Sequence, residues 1–302
     1  MRPQAVGAVL LAAALFGTTG TAQALGPDST TPLGVGAARL AVGGLALLAL
    51  LPLVGASWRE AMVLWRTRSG LVAGACTALY QVFFFAGVQR AGVAVGTLIA
   101  LGSGPVLTGV LARLVLGERP GRSWLIATGL CLTGLSVLVL GGSPSGTVDL
   151  LGAVLALLAG LSYAAYTVLA KQQLDAGHRP PAVMAGAFGL GGLLSLPLLA
   201  TQPVGWLGDG SGVLLALYLG LFTVTLGCLL FVRGLSSLQA GPVTTLMLAE
   251  PVVATALGIT VLGERLSWLG AMGAALVFIG LVVQRRGSAA RVPAPEGAPA
   301  SA

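Results

Sequence analysis

One apolar module occurs twice in this chain, and that duplication constrains the fold more than any other feature. Pro105-VLTGVLARLVLG-Glu118-Arg119 and Pro251-VVATALGITVLG-Glu264-Arg265 share a Pro-x12-Glu-Arg frame at an offset of 146 residues. Each is followed by a tryptophan, Trp124 or Trp268, and one more apolar stretch. Gly7-Ala-Val-Leu10 and Gly152-Ala-Val-Leu155 open the two halves at nearly the same offset. In a membrane, two repeats that face one another commonly enclose a transport path.

The composition makes the bilayer the solvent. Hydrophobic residues are 56% and charged residues 8% of the 302, whereas soluble domains carry about 25% charged residues. The 46 glycines would weaken helices in water, but in lipid small residues let helix backbones approach and pack. The low aromatic content fits helix packing better than a β-barrel with aromatic girdles. A net charge of +7 does not indicate a nucleic-acid partner, because the basic residues are scattered singly or in pairs between apolar runs and read as topology signals. Cys76, Cys131 and Cys228 lie inside predicted spans and read as packing residues. The single histidine, His178, lies beside Arg179-Pro-Pro in a polar connection and reads as a loop residue. No metal site or cofactor is expected.

A helix needs roughly 20 apolar residues to cross a hydrocarbon core of about 30 Å. Ten such stretches are expected near residues 5–25, 33–54, 69–89, 92–114, 123–141, 150–170, 182–202, 212–232, 240–262 and 267–284. Gly/Pro-rich punctuation separates them at 26–32, 141–146, 178–181 and 205–210. The first stretch ends in Ala22-Gln-Ala24, which resembles a signal-peptide cleavage site. Its counterpart from residue 150 cannot be a signal, so the first stretch reads as the opening helix of a repeat.

If the N-terminus is cytoplasmic, twelve basic residues fall inside (Arg2, the arginines at 59, 66, 68, 119, 122, 179, 233, 285, 286 and 291, and Lys171) against Arg90 and Arg265 outside. This bias predicts a multi-pass protein of the cytoplasmic membrane with both termini cytoplasmic. Five spans per repeat is an odd number, so the second repeat enters the membrane in the opposite sense. The expected class is an all-α membrane protein with ten transmembrane helices as two inverted five-helix repeats. Residues 1–141 form the first repeat, 142–286 the second, and 287–302 a disordered cytoplasmic tail rich in Ala and Pro. Trp124 and Trp268 are then expected at opposite interfaces.

Leu-Gly-Glu-Arg at 116–119 and 262–265, Ala-Glu-Pro at 249–251, Leu161-Ser-Tyr-Ala-Ala-Tyr166 and Leu221-Phe-Thr-Val-Thr225 before Arg233-Gly-Leu together carry a resemblance. In order, spacing and duplication, the chain resembles the EamA branch of the drug/metabolite transporter superfamily over about residues 5 to 286. The resemblance implies a ten-helix secondary carrier of inverted repeats. The first span has Phe16-Gly17 where the family often has Trp-Gly, and it lacks the carboxylate that couples protons in short multidrug relatives.

Candidate site residues follow from the cost of polar groups in lipid. Glu250 sits about ten residues into its span, where a charge costs at least ~2.5 kcal/mol unless paired or protonated. It reads as a cation, amine or proton site, or as a structural carboxylate beside Pro251. Arg39 lies inside the second span and could bind a substrate carboxylate, pair with Glu250, or snorkel to the headgroups. Neither charge is repeated, since Gly104 aligns with Glu250 and the region of Met184 with Arg39. Pro105 and Pro251 remove intrahelical hydrogen bonds and are expected to kink the fourth and ninth helices. Tyr80, Gln81, Tyr163 and Tyr166 are candidates to line a cavity or bond between helices, with Thr18, Thr19, Thr223 and Thr225 as weaker ones. Glu118 and Glu264 read as helix-terminal residues, each paired with the arginine that follows it.

The expected function is secondary transport of small metabolites, amino acids or related compounds, out of the cell by alternating access. No Walker P-loop is present, so a proton gradient is the expected energy source. The rival classes are a membrane scaffold and an intramembrane enzyme. No span contains His or Asp for hydrolytic chemistry, and no enzyme activity is expected.

Overall fold

The computed structural model describes residues 2–119, 121–140 and 149–290. The punctuation at 141–146 and the expected tail from 291 onward lie outside the described residues. All regular structure among the described residues is helical. Ten helices are long and apolar enough to cross a membrane: Pro3–Ala24, Pro32–Val54, Arg68–Ala91, Val93–Leu116, Arg122–Leu140, Leu150–Asp175, Pro180–Ala200, Gly210–Leu235, Ala240–Val261 and Trp268–Arg286. These are the first to tenth spans below. The tenth helix continues to Ala290, four residues into the stretch expected as tail.

Local chemistry sets the ends. Thr31, Ser57, Thr67 and Asp149 each cap a helix by accepting an N–H from its first turn, so donors that have no intrahelical partner are satisfied. Pro32 and Pro180 stand at helix starts, where a missing N–H costs nothing. The duplicated Leu-Gly-Glu-Arg is a stop signal with the same geometry in both repeats. Gly117 and Gly263 take φ of +68° and +71°. The next residues, Glu118 and Glu264, send their N–H groups back to the carbonyls of Ala112 and Gly258, at 3.2 and 3.0 Å. Glycine is favoured there because a side chain raises the energy of the left-handed backbone.

The packing is mostly between repeats and obeys an exchange rule. The first span packs on the eighth and ninth, and the sixth packs on the third and fourth. The second span packs on the eighth, as the seventh does on the third. Two pairs map onto themselves: the second with the seventh, and the fifth with the tenth. Hydroxyls repeat the pattern. Thr77 of the third span donates to the Ala187 carbonyl of the seventh at 3.1 Å, and Thr225 of the eighth donates to the Gly43 carbonyl of the second at 3.1 Å. Buried positions are mostly Ala, Gly, Val and Leu, while large apolar side chains such as Leu114, Leu150 and Phe278 face outward, as lipid requires.

The two repeats are not identical. Trp268 is exposed at 80%, but Trp124 is 7% exposed and packs against Gly109 and Gly241. The fourth helix carries Pro105 without interruption. The ninth span is broken into Ala240–Leu246 and Ala249–Val261. Pro251 has no N–H for the Met247 carbonyl four residues back, and the Glu250 N–H takes that carbonyl instead at 2.9 Å. The expected kink is thus a helix break in one repeat and an unbroken helix in the other.

The eighth span also departs from a plain helix, with a π-helical stretch at Leu219–Leu226 between two α-helical pieces. Such bulges loosen the regular backbone ladder and recur at functional sites. This one faces the second span, where Thr225 donates to both Gly43 and Gly220.

Candidate functional site

The break in the ninth span determines how Glu250 is presented. It stands in the first turn of the second half-helix, where N–H groups lack intrahelical partners and the helix dipole favours an anion. Discontinuous helices of this kind frame the midplane sites of many carriers. Gly17 of the first span backs directly onto the Glu250 carbonyl and Val253, so the half-helix is seated against a position with no side chain. In the other repeat the sizes are exchanged: Gly104, aligned with Glu250, backs onto the ring of Tyr163.

Arg39 turns inward. Its Nη2 donates to Oε1 of Gln81 at 3.3 Å, and Gln81 is only 5% exposed. The Arg39 Nε is buried without a hydrogen-bond partner. The snorkelling alternative is therefore not the arrangement adopted. Arg39 and Glu250 lie within electrostatic reach of one another, as do Tyr80 and Tyr163 with Glu250. The two charges are not in salt-bridge contact, so a direct Arg39–Glu250 pair is also not the arrangement adopted.

Aromatic rings wall this region. Tyr80 stacks on Phe84 and lies against Tyr163, whose ring meets Tyr166 edge-on with centroids 5.4 Å apart. Tyr166 in turn packs on Phe188 and Phe231. The Tyr163 hydroxyl is buried without a partner. Thus Arg39, Gln81, Tyr80, Tyr163, Tyr166 and Glu250, drawn from the second, third, sixth and ninth spans, are brought into one neighbourhood.

The weaker candidates divide. Ser162, near the tyrosines, bonds its own helix at Leu158, and Thr223 bonds Leu219. Thr18 accepts from the Tyr218 hydroxyl at 2.9 Å while donating to Leu15. Thr19 has a buried hydroxyl without a partner. Two neighbours escaped the sequence reading. Tyr218 had no signal beyond its polarity within a span. Cys228, within electrostatic reach of Arg39, looks in sequence like any buried cysteine. All three cysteines are free thiols, and no cluster of metal-binding side chains occurs among the described residues.

Ten apolar helices in two interlocked repeats, with unlike charges in the interior and a broken helix beside one of them, define a polytopic membrane protein of the carrier type. The sequence profile described as the EamA-like transporter family matches residues 4–140 and 150–285. The chain belongs to that family. It is 41% identical over 278 residues to the uncharacterized transporter YwfM of Bacillus subtilis, covering 91% of each chain. It is 30% identical over 257 residues to the threonine/homoserine exporter RhtA of Escherichia coli K12, covering 84% of this chain and 82% of the relative. A solved structure, titled only as a crystal structure of protein, superposes with a TM-score of 0.80 at 21% identity, covering 96% of this chain and 99% of that one. That likeness concerns the fold.

Proposed function

We propose that this EamA-like transporter is a secondary carrier that exports amino acids or closely related metabolites by alternating access. The observation that carries this reading is the separation of Arg39 from Glu250: two opposite charges near enough to feel one another, not in contact, with aromatic rings beside them. A molecule with its own carboxylate and ammonium complements both, the guanidinium offering a planar fork to the carboxylate. The threonine/homoserine exporter among the relatives supports the same substrate class.

The exchange of contacts between repeats supports rocking of one against the other around this region. Glu250 is the group we assign to proton coupling, with protons entering as the substrate leaves. Both termini face the cytoplasm in this scheme, which rests on the twelve-to-two bias of basic residues. Export is tested with everted vesicles energised to an acid interior: labelled amino acids should accumulate above the level in vesicles lacking the protein. Equal accumulation across a panel of neutral, acidic and basic amino acids, with and without the protein, would overturn the reading.

A further inference from the structure

A cavity of about 660 Å³ lies away from Arg39 and Glu250, among the start of the third span, the ends of the fourth and sixth spans, and the connection that follows the sixth. Thr67, Arg68, Ser69, Gln173 and His178 line it, and no acidic residue does. Gln173 is only 4% exposed, and its Nε2 is buried without a hydrogen-bond partner. A buried amide donor left unmade costs roughly 1–3 kcal/mol, so this one points to an acceptor that the protein itself does not supply.

The other features of the cavity favour an anionic acceptor. Thr67 caps the 24-residue helix that begins at Arg68, its hydroxyl accepting the Gly70 N–H at 3.0 Å. The N–H groups of Arg68 and Ser69 precede the first intrahelical bond and sit at the positive end of the helix dipole. Arg68 adds a full charge and has no carboxylate partner among the described residues. Lys171, two residues before Gln173, is already paired with Asp175 at 2.9 Å. Val72 and Val115 line the same cavity and are exposed on the outer surface of the bundle. A largely apolar lining that also carries Arg68, Ser69 and the Gln173 amide, and opens at the outward-facing Val72 and Val115, matches a phosphate carried on an acyl chain.

We propose that this cavity binds a phosphate group, presented by the headgroup of an anionic phospholipid. Arg68, the Gln173 amide and the first-turn N–H groups hold the phosphate oxygens, and an acyl chain runs along Val72 and Val115. The site is separate from the transport reading, because its occupancy is measured without transport.

The test uses the purified full chain in detergent, with binding read by native mass spectrometry and by thermal unfolding. Dioleoylphosphatidylglycerol is the probe, and dioleoylglycerol, with the same chains but no phosphate, is the control. The expected result is retention and thermal protection by the phospholipid alone. Arg68→Gln and Gln173→Leu should each weaken it about tenfold, in line with the loss of a charge-assisted hydrogen bond. Arg66→Gln, in the same turn but not lining the cavity, should leave it unchanged. Arg68 is exposed, so its variant tests the proposal even if Gln173→Leu fails to fold. If millimolar inorganic phosphate protects the protein and displaces the phospholipid, the phosphate site stands with a soluble anion as its source. If phosphate does neither while the phospholipid binds, the lipid is the source. Binding by Arg68→Gln equal to wild type, equal losses in Arg68→Gln and Arg66→Gln, or equal protection by dioleoylglycerol would each overturn the proposal.

Discussion

The Glu118 carboxylate, at the end of the fourth span, accepts the backbone N–H of Ala240, at the start of the ninth, at 3.0 Å from Oε2 and 3.3 Å from Oε1. A side chain of the first repeat therefore caps the helix of the second that leads to Glu250. Burial pushes the Glu118 carboxyl up from the ordinary carboxylate range, while the Ala240 N–H and the nearby Lys171 pull it down.

Loss of this cap should be measurable. Glu118→Ala should destabilise the protein by about 1 kcal/mol, and Glu118→Gln, which keeps an acceptor oxygen, by less. Because the folded-state value is raised, wild type should gain stability relative to Glu118→Gln as pH falls through it, and lose that gain as pH rises. Thermal unfolding of the variants across pH 4 to 8 reads both effects. An identical pH profile for wild type and Glu118→Gln would show that folding leaves the affinity of this carboxyl for protons unchanged.

The two helix stops make a cleaner stability test. Nothing lies within 4 Å of a methyl group added at Gly117 or Gly263, so alanine there meets only the cost of positive φ, roughly 1–2 kcal/mol. Each single variant should lower the unfolding temperature by a similar amount, and the double variant by the sum. A neutral Gly263→Ala would mean that this stop relaxes to another backbone geometry.

How much of this was legible in the sequence depended on the range of the interaction. The spans were readable because lipid forbids long polar stretches, and the observed ends fall close to the expected ones. The sixth span runs five residues past its expected end, to Asp175, because Lys171, Gln172 and Gln173 extend the helix and Lys171 pairs with Asp175 one turn on. The break at Met247 and Leu248 was only half legible: Pro251 announced a fault, but its position four residues earlier follows from which carbonyl loses its donor. The Glu118–Ala240 cap and the Arg39–Gln81 bond join residues 122 and 42 apart, and no local pattern encodes either. The π-helical stretch in the eighth span had no sequence signal that we can name.

Topology is open to a direct check. Reporter fusions at Gly208, between the seventh and eighth spans, should score external, and fusions after Arg286 cytoplasmic. The contacts already pair like with like: Arg90 meets Asp149 at 3.3 Å, on the side expected outside, and Arg179 meets Glu60 at 4.0 Å, on the side expected inside. An external C-terminal fusion would invert the proposed orientation.

Arg39 tests the chemistry of the substrate. A guanidinium binds a carboxylate through a rigid fork, whereas an ammonium is a point charge. Arg39→Lys should therefore weaken transport of carboxylate-bearing substrates, and Arg39→Ala should weaken it further, with little change for substrates that lack the group. Competition by amino acids against their decarboxylated amines, measured on the same vesicles, separates the cases. Equal inhibition by both in wild type would remove the carboxylate from the recognition scheme.

The central claim is that Glu250 couples a proton gradient to export, and reconstituted proteoliposomes test it most directly. With a pH gradient imposed, wild type should drive labelled amino acid against its concentration gradient, and Glu250→Gln, which keeps the shape but cannot ionise, should fail to do so while remaining folded and still exchanging substrate without the gradient. Gradient-driven accumulation by Glu250→Gln at the wild-type rate and with the wild-type pH dependence would contradict the account.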